Sequence, residues 1–191
     1  MFARTIESLD ANLRRAILEH GKWVESAGRL GERAEVDGAD LRGIDLSGVN
    51  LSGAVLRGVD LSGAALNGAK LIMADLSHGV LDEINLYGAN LSGAKLEGVS
   101  LVRADLTQAK LAPASINDAE GKPTGRRCIT NLRGANLRQA RLAYCTLREA
   151  DLTGADLTDS DRVNVNLAGA ILTDAILHPP VNPPGKSKPA A

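Results

Sequence analysis

Fifteen residues from Ala39 to Gly53 decide the fold, and they read Ala-Asp-Leu-Arg-Gly, Ile-Asp-Leu-Ser-Gly, Val-Asn-Leu-Ser-Gly. Each block has leucine at its centre, so the leucines recur every five residues. Five residues advance an α-helix by about 500°, which would scatter these leucines around the helix. In a continuous strand an odd step would place alternate leucines on opposite faces. The period therefore predicts a short extended piece and a turn in every block, which coils the chain into a solenoid.

The five-residue register extends well beyond this stretch. Block centres run from Val36 to Ile116, seventeen blocks without a slip. The centre and the small residue two positions before it are predicted to face inward, and the polar residue between them is predicted to face water. Glycine usually stands two positions after the centre, where it tolerates the positive φ of a tight turn. We expect the turn type to change at the corners that lack glycine, which are Met73, His78, Glu83, Arg103, Gln108 and Pro113.

The tandem pattern Ala-Asp/Asn-Leu-Xaa-Gly resembles the pentapeptide repeat family. The resemblance implies an all-β solenoid, a right-handed quadrilateral β-helix with four blocks in each coil. Residues would then stack every twenty positions, which places Asp40 and Asp60 in one column with Val80 and Ser100. The aromatic content of only 2% agrees with a narrow interior that accepts aliphatic side chains.

An N-terminal α-helical cap is expected, because an open solenoid end exposes its apolar axis and unpaired strand backbone. Apolar residues at a helical period predict one amphipathic helix over residues 4–27, which Gly28 and Gly31 end. We interpret His20, beside Trp23, as a structural or solvated histidine. The predicted segments are a cap over 1–33, solenoid over 34–116, an inserted loop over 117–129, solenoid over 130–178 and a Pro-rich flexible tail over 179–191.

The inserted loop is the main candidate for recognition. The repeat stops after Ile116 and returns at Leu132 one residue out of register. A packed coil cannot absorb an extra residue, so the segment must leave the surface. Loops on rigid scaffolds often carry recognition, and a tolerated insertion is an equal alternative. The candidate interaction loop consists of Lys122, Pro123, Arg126 and Arg127.

Charge separates between the last coils. Residues 117–148 hold seven basic and two acidic side chains, whereas residues 149–178 hold one basic and six acidic ones. A candidate basic collar therefore either binds an anion or forms ion pairs with the acidic coil, and Arg141 is predicted to stack directly on Asp161. The collar consists of Arg133, Arg138, Arg141 and Arg148.

Two apolar residues take outward positions near the C-terminus, where polar residues are usual. Ile171 and Ile176 are the candidate C-terminal apolar interface. Such residues are expected to be covered. Two alternatives remain for what covers them. One is the Pro-rich tail folded back, and the other is a second subunit that makes a homodimer through the C-terminal coil.

The residue pattern predicts no enzyme. Every regularly spaced Asp and Ser is explained by solvation and turns, so we expect no catalytic residues, no metal and no cofactor. Cys128 and Cys145 lack metal-ligand spacing, and Cys145 takes a small inward position that predicts burial. The net charge of −1 argues against direct nucleic-acid or membrane binding. With no apolar run of signal length, a cytoplasmic bacterial protein is expected.

The functional hypothesis is a non-enzymatic scaffold that presents a surface and a loop to an unknown protein partner. The resemblance also implies an alternative, because some family members are rods that resemble B-DNA in width and charge and bind DNA gyrase. A DNA mimic of this kind, a topoisomerase binding or protection protein, needs a continuous acidic face. Here the columns mix charges, as in Asn50, Lys70, Asn90 and Lys110.

Overall fold

The computed structural model describes residues 4–118 and 121–178. Its helices are a short 3₁₀ helix, Ile6–Ser8, and α1, Ala11–Glu25. Its strands, β1, Ala114–Asn117, and β2, Pro123–Cys128, pair antiparallel. Residues 35–110 and 131–176 consist of five-residue blocks, each with one extended residue and a turn. The Pro-rich segment 179–191, residues 1–3 of the cap, and residues 119–120 of the loop lie outside the described residues.

Successive coils are joined by parallel backbone bridges between residues twenty positions apart. Asp40 bridges to Asp60, Asp60 to Val80, and Val80 to Ser100, as the stacking period predicts. The amide of Leu41 donates to the Asp60 carbonyl at 2.8 Å, and the amide of Asp60 donates to the Ala39 carbonyl at 3.0 Å. Twenty residues hold four five-residue blocks, so the chain returns to the same column once every four blocks.

The interior is a column of aliphatic side chains. Every central leucine from Leu41 to Leu111 and from Leu132 to Leu157 is at most 2% exposed. Most of the small inward residues are equally buried. Cys145 takes one of these small positions and is buried, as expected, and burial raises the pKa of its thiol to about 12. Full burial of a leucine contributes about 1.5–3 kcal/mol, so the stack of leucines holds the coils together.

The turn does not change at the corners that lack glycine, which corrects the expectation from the sequence. Met73, His78 and Gln108 have φ values of 56°, 61° and 59°, close to the 62° to 68° of many corner glycines. A left-handed conformation costs a non-glycine residue about 1–2 kcal/mol. The stacked coils above and below impose it nevertheless. Pro113 is the exception, because its ring fixes φ near −65°, and the coil is interrupted there.

The N-terminal segment is not one helix over residues 4–27. Arg4 instead forms a parallel backbone bridge with Ile44, which adds one residue to the start of that column of the coil. Helix α1 starts only at Ala11, because the Asp10 carboxylate accepts the amides of Asn12 and Leu13 as an N-cap. Leu9 and Ile17 are buried with the first leucines of the coil. This packing covers part of the apolar axis at the first coil.

The insertion is a β-hairpin that starts earlier than the sequence predicts. Ser100 bridges to Asn136, an offset of 36 residues instead of 20, so the excursion adds 16 residues to the coil. Sixteen residues are three blocks and one residue, which explains the shift of register. Ile116, placed in the solenoid by its spacing, lies in strand β1 of the hairpin. The chain leaves the coil after Leu111 and rejoins it at Asn131.

The interior opens at the C-terminal end of the described chain. Leu167 and Leu172 are only partly buried, and Leu177 is exposed. Arg162, which stands where a central leucine is expected, donates to the backbone carbonyl of His178 at 3.2 Å. Its guanidinium therefore links this turn to the last described residue.

Candidate interaction surface

The root of the hairpin is fixed by Thr130 and Gly93. Thr130 occupies a small inward position and is fully buried. Its hydroxyl donates to the Ala112 carbonyl at 3.2 Å and accepts the Gly93 amide at 3.0 Å. A Cβ added to Gly93 would lie 2.8 Å from the Cβ of Ala114 and 3.1 Å from the Cβ of Cys128. The first and last paired residues of the hairpin thus pack directly on the coil above.

The described residues that flank the tip of the hairpin are hydrogen-bonded to one another. The carboxylate of Asp118 accepts the Lys122 amide at 2.8 Å, and the Lys122 carbonyl accepts the Asp118 amide at 2.9 Å. The Thr124 hydroxyl donates to the Ile116 carbonyl at 2.6 Å. These bonds link the described ends of the two strands on either side of the tip.

The four residues of the candidate interaction loop divide into two groups. Arg127 forms an ion pair with Glu149 of the next coil, with 2.9 Å between nitrogen and oxygen, and so ties the hairpin down. Lys122, Pro123 and Arg126 are exposed. In the described chain neither Lys122 nor Arg126 has an ion-pair partner. Among the described residues, the hairpin therefore offers two positive charges without an ion-pair partner.

The candidate basic collar is made of ion pairs between and within coils. Arg133 contacts Asp151 at 3.2 Å and Arg138 contacts Asp156 at 3.1 Å, each on the coil below. Arg148 contacts its neighbour Glu149 at 3.3 Å. With these charges paired, the collar has little free positive charge for an anion.

The predicted contact of Arg141 with Asp161 is wrong at the level of side chains. The two residues do share a backbone bridge. The Arg141 guanidinium, however, points to the coil above and pairs with Asp105 at 3.0 Å. The Asp161 carboxylate instead accepts the amide of Val163 in its own turn.

Carboxylates in the collar are held in their charged form. Partial burial works to raise the pKa of Asp151, but hydrogen bonds from Thr153 and from Arg133 outweigh it and leave the pKa below the ordinary range. The pKa of Asp156 is lowered in the same way by Thr158 and Arg138, against partial burial. Each pair is largely exposed on the arginine side, so each contributes only about 0–1 kcal/mol.

The candidate apolar interface lies at the open C-terminal end. Ile171 is 44% exposed and Ile176 is 41% exposed, and both stand on outward positions of the last coils. The neighbouring inward leucines are partly exposed as well. No described residue covers either isoleucine fully.

The histidine of the cap has a structural role. His20 is fully buried, its ring stacks on Trp23 with 5.5 Å between centroids, and its Nδ1 accepts the Ala34 amide at 3.1 Å. Its Nε2 is buried without a hydrogen-bond partner among the described residues. Burial lowers the pKa of His20, with a smaller lowering from the charge of Arg33, although the Ser52 backbone works to raise it. The ring thus joins α1 to the start of the first coil.

Neither a metal-binding cluster nor a membrane-spanning helix is found among the described residues. Within residues 4–118 and 121–178, no group of three or more His, Cys, Asp or Glu side chains could hold a metal ion. The helices described for this chain are too short and too polar to cross a membrane.

Sequence reasoning did not find the Gly93–Thr130 anchor. The signal was present, since Thr130 stands two positions before the central Leu132, where alanine is usual. A hydroxyl at an inward position requires a hydrogen-bond partner. Its partners, at Gly93 and Ala112, are brought to it only by the stacking of coils.

The stacked blocks define a tandem-repeat protein with one backbone bridge in each five-residue unit. Pentapeptide repeats, in eight copies, match residues 34–71, 71–108 and 130–161. These ranges cover more than half of the chain. The chain belongs to the pentapeptide repeat family. The gap between the second and third ranges contains the hairpin.

Several solved structures are similar to this chain. The pentapeptide repeat protein Rfr23 from the cyanobacterium Cyanothece 51142 is 22% identical, with 75% of this chain and 91% of that chain covered and a TM-score of 0.36. One from the Arabidopsis thaliana thylakoid lumen is 27% identical, with 72% and 71% covered and a TM-score of 0.34. QnrB1, a plasmid-mediated fluoroquinolone resistance protein, is 18% identical, with 75% and 79% covered and a TM-score of 0.41. No curated protein matches the chain.

Proposed function

We propose that this chain is a non-enzymatic scaffold, a right-handed quadrilateral β-helix with an N-terminal helical cap, that binds a protein partner through its hairpin. The family match and the twenty-residue bridge period support this architecture. The main support for this function is the contrast between the packed root of the hairpin and its exposed cationic residues. Its root packs on Gly93 and is held by the Arg127 ion pair, whereas Lys122 and Arg126 are exposed and have no ion-pair partner in the described part of the chain.

A fixed support favours binding because little conformational entropy is lost when the partner docks. Unpaired lysine and arginine attract a partner of opposite charge and raise the rate of encounter. A tolerated insertion would not need a buried threonine, a glycine contact and an ion pair to hold it in one place. The two free thiols agree with a reducing compartment such as the cytoplasm.

The test is affinity capture from the native host with three forms of the full chain. These are the unchanged protein, the double variant Lys122→Glu with Arg126→Glu, and a control with Arg14→Glu and Arg15→Glu. The control alters net charge equally on the exposed side of α1. We expect one protein to be lost from the hairpin variant and retained by the control, and purified forms should reproduce the difference. Equal capture by all three forms would remove the hairpin as the binding element.

The topoisomerase alternative has less support from the geometry. Its continuous acidic face would need carboxylates free along one side. Instead Asp75 contacts Arg57 at 2.9 Å and Lys95 at 3.5 Å, and Asp105 contacts Arg141. The mixed columns therefore favour a scaffold over a DNA mimic.

A further inference from the structure

One side of the coil carries positive charge without carboxylates. We call it the lysine face and define it by the column Asn50, Lys70, Asn90, Lys110, Thr146 and Asn166, whose members bridge in this order. The residues that follow this column into the turn are Ser52, Ile72, Ser92 and Ala112 in the first four coils. From Asn50 to Ala112 neither set contains an acidic residue. The other three columns all contain aspartate.

The asparagines of the lysine face present hydrogen-bond donors to the outside. The Asn50 carbonyl oxygen accepts the Ser52 amide at 3.1 Å, and that of Asn90 accepts the Ser92 amide at 3.1 Å. Asn166 uses its oxygen in the same way for the Ala168 amide. Because each oxygen is used within its own turn, the side-chain NH₂ groups are left for a partner.

The two lysines of this face are free. Lys70 and Lys110 are exposed, and neither has an ion-pair partner in the described part of the chain. Lys95, in the next column, instead contacts Asp75. Lys70 and Lys110 lie two coils apart, a separation of about 10 Å at the usual spacing of paired strands. The lysine face thus offers cations and donors in a fixed, regular array.

Features on both borders of the lysine face extend the surface. The chain contains two tyrosines, and both stand in the turn that precedes this face. Tyr87 is 45% exposed and its hydroxyl donates to Gln108 at 3.0 Å, and Tyr144 is 60% exposed. Tyrosine is enriched among residues that dominate protein interfaces. On the opposite border the chain leaves the coil at Ala112 for the hairpin with Lys122 and Arg126.

We infer that the lysine face is a docking surface for a folded protein with an acidic patch, whose carboxylates pair with Lys70, Lys110 and the asparagine NH₂ groups. This inference rests on the proposed function and names the class of partner. Carboxylates are acceptors only, so they complement a surface of donors and cations. A nucleic acid fits less well, because an extended polyanion would also meet Asp45, Asp105 and Asp161 in the adjoining column.

A binding assay with defined probes tests this surface. The probes are a fluorescein-labelled oligoglutamate peptide and a labelled DNA duplex of equal charge, measured by anisotropy with the full chain. We expect oligoglutamate to bind more tightly than the duplex. The double variant Lys70→Glu with Lys110→Glu should bind oligoglutamate about tenfold more weakly, whereas the Arg14→Glu, Arg15→Glu control should change binding less than about twofold. Circular dichroism of each variant verifies the fold.

Three results would overturn the inference. They are no binding of oligoglutamate, equal loss in both double variants, and tighter binding of the duplex through the same lysines. The outcome is separate from that of the proposed function. A hairpin-dependent partner that the Lys70, Lys110 variant still captures fully would refute the lysine face and leave the hairpin proposal standing. If that variant loses oligoglutamate binding and the extract holds no hairpin-dependent partner, the lysine face stands and the hairpin proposal is refuted.

Discussion

His20 shows how a single side chain joins the cap to the coil. Its Nδ1 must be unprotonated to accept the Ala34 amide. The neutral ring therefore carries its proton on Nε2, and a second proton could be added only at Nδ1, where it would break this bond. Burial already disfavours the charged ring and lowers its pKa. The contact is consequently sensitive to acid.

We expect His20→Gln to reduce the pH dependence of stability. Well above the ordinary histidine pKa of about 6.5 the ring is neutral in both states. Below that value the unfolded chain takes up the proton first, so the free energy of unfolding falls until the pH passes the lowered pKa of the folded state. Glutamine can accept the Ala34 amide and does not titrate. Urea unfolding at about pH 7.5 and 5 should show a smaller loss for the variant. Equal losses would contradict this role.

Gly93 differs from other corner glycines because the hairpin packs on it. Gly88 has a similar φ, 64° against 68°, but a Cβ there would meet nothing within 4 Å. Gly88→Ala should therefore cost only the left-handed strain, about 1–2 kcal/mol. Gly93→Ala should cost about 1–3 kcal/mol more, because its Cβ would overlap Ala114 and Cys128. Chemical denaturation measures both, and equal costs would mean that the hairpin is not packed on the coil.

Among the elements, the coils differ in how well each is covered. Coils in the middle have neighbours on both sides, whereas the last one has a neighbour on one side among the described residues. The cap packs Leu9 and Ile17 on the first coil. At the other end Leu172 stays partly exposed. In a solenoid, each unit is stabilised mainly by its nearest neighbours.

We therefore expect the same substitution to have unequal effects along the coil. Leu96→Ala, at a position that is 0% exposed, should lower the free energy of unfolding by about 2–5 kcal/mol. Leu172→Ala should cost about 1 kcal/mol, because its side chain buries less apolar surface. Thermal and urea unfolding of the two variants make the comparison. A cost at Leu172 as large as that at Leu96 would indicate that something covers the C-terminal end in solution.

Over the whole molecule, the net charge of −1 conceals an uneven distribution. Most described aspartates of the coil either pair with arginine or lysine or accept amides of their own turns. The lysine face has no carboxylate over its first four coils. The surface as a whole is therefore mixed, with a positive side rather than a continuous negative one.

This distribution leads us to expect no effect on DNA gyrase. A mimic of B-DNA must present negative charge along its length to compete with DNA for a basic surface. Supercoiling of relaxed plasmid by gyrase, with the protein titrated to micromolar concentration, should proceed at an unchanged rate. An albumin titration controls for crowding. Inhibition, or protection of gyrase from a quinolone, would instead support the topoisomerase alternative.

The repeat could be predicted because it depends on local chemistry. Leucine every five residues excludes helix and continuous strand, and the stacking of Asp40, Asp60, Val80 and Ser100 follows from the twenty-residue coil. The corners were harder to predict. Local propensity opposes positive φ at Met73 or His78, yet coils on both sides require one backbone path, and tertiary packing overrides the preference.

The residues alone determined the period, the inward leucines, the burial of Cys145 and the interruption after the first solenoid segment, because each depends on spacing along the chain. Only the tertiary structure decided that the interruption is a hairpin rooted on Gly93 and Thr130 and that Arg141 turns to Asp105 rather than Asp161. It also decided that Lys70 and Lys110 have no ion-pair partner among the described residues. A long side chain can reach charged partners on either of the two neighbouring coils. For Arg133, Arg138 and Arg141 those partners are 18 or 36 residues away in sequence, so only the stacked coils bring them within reach.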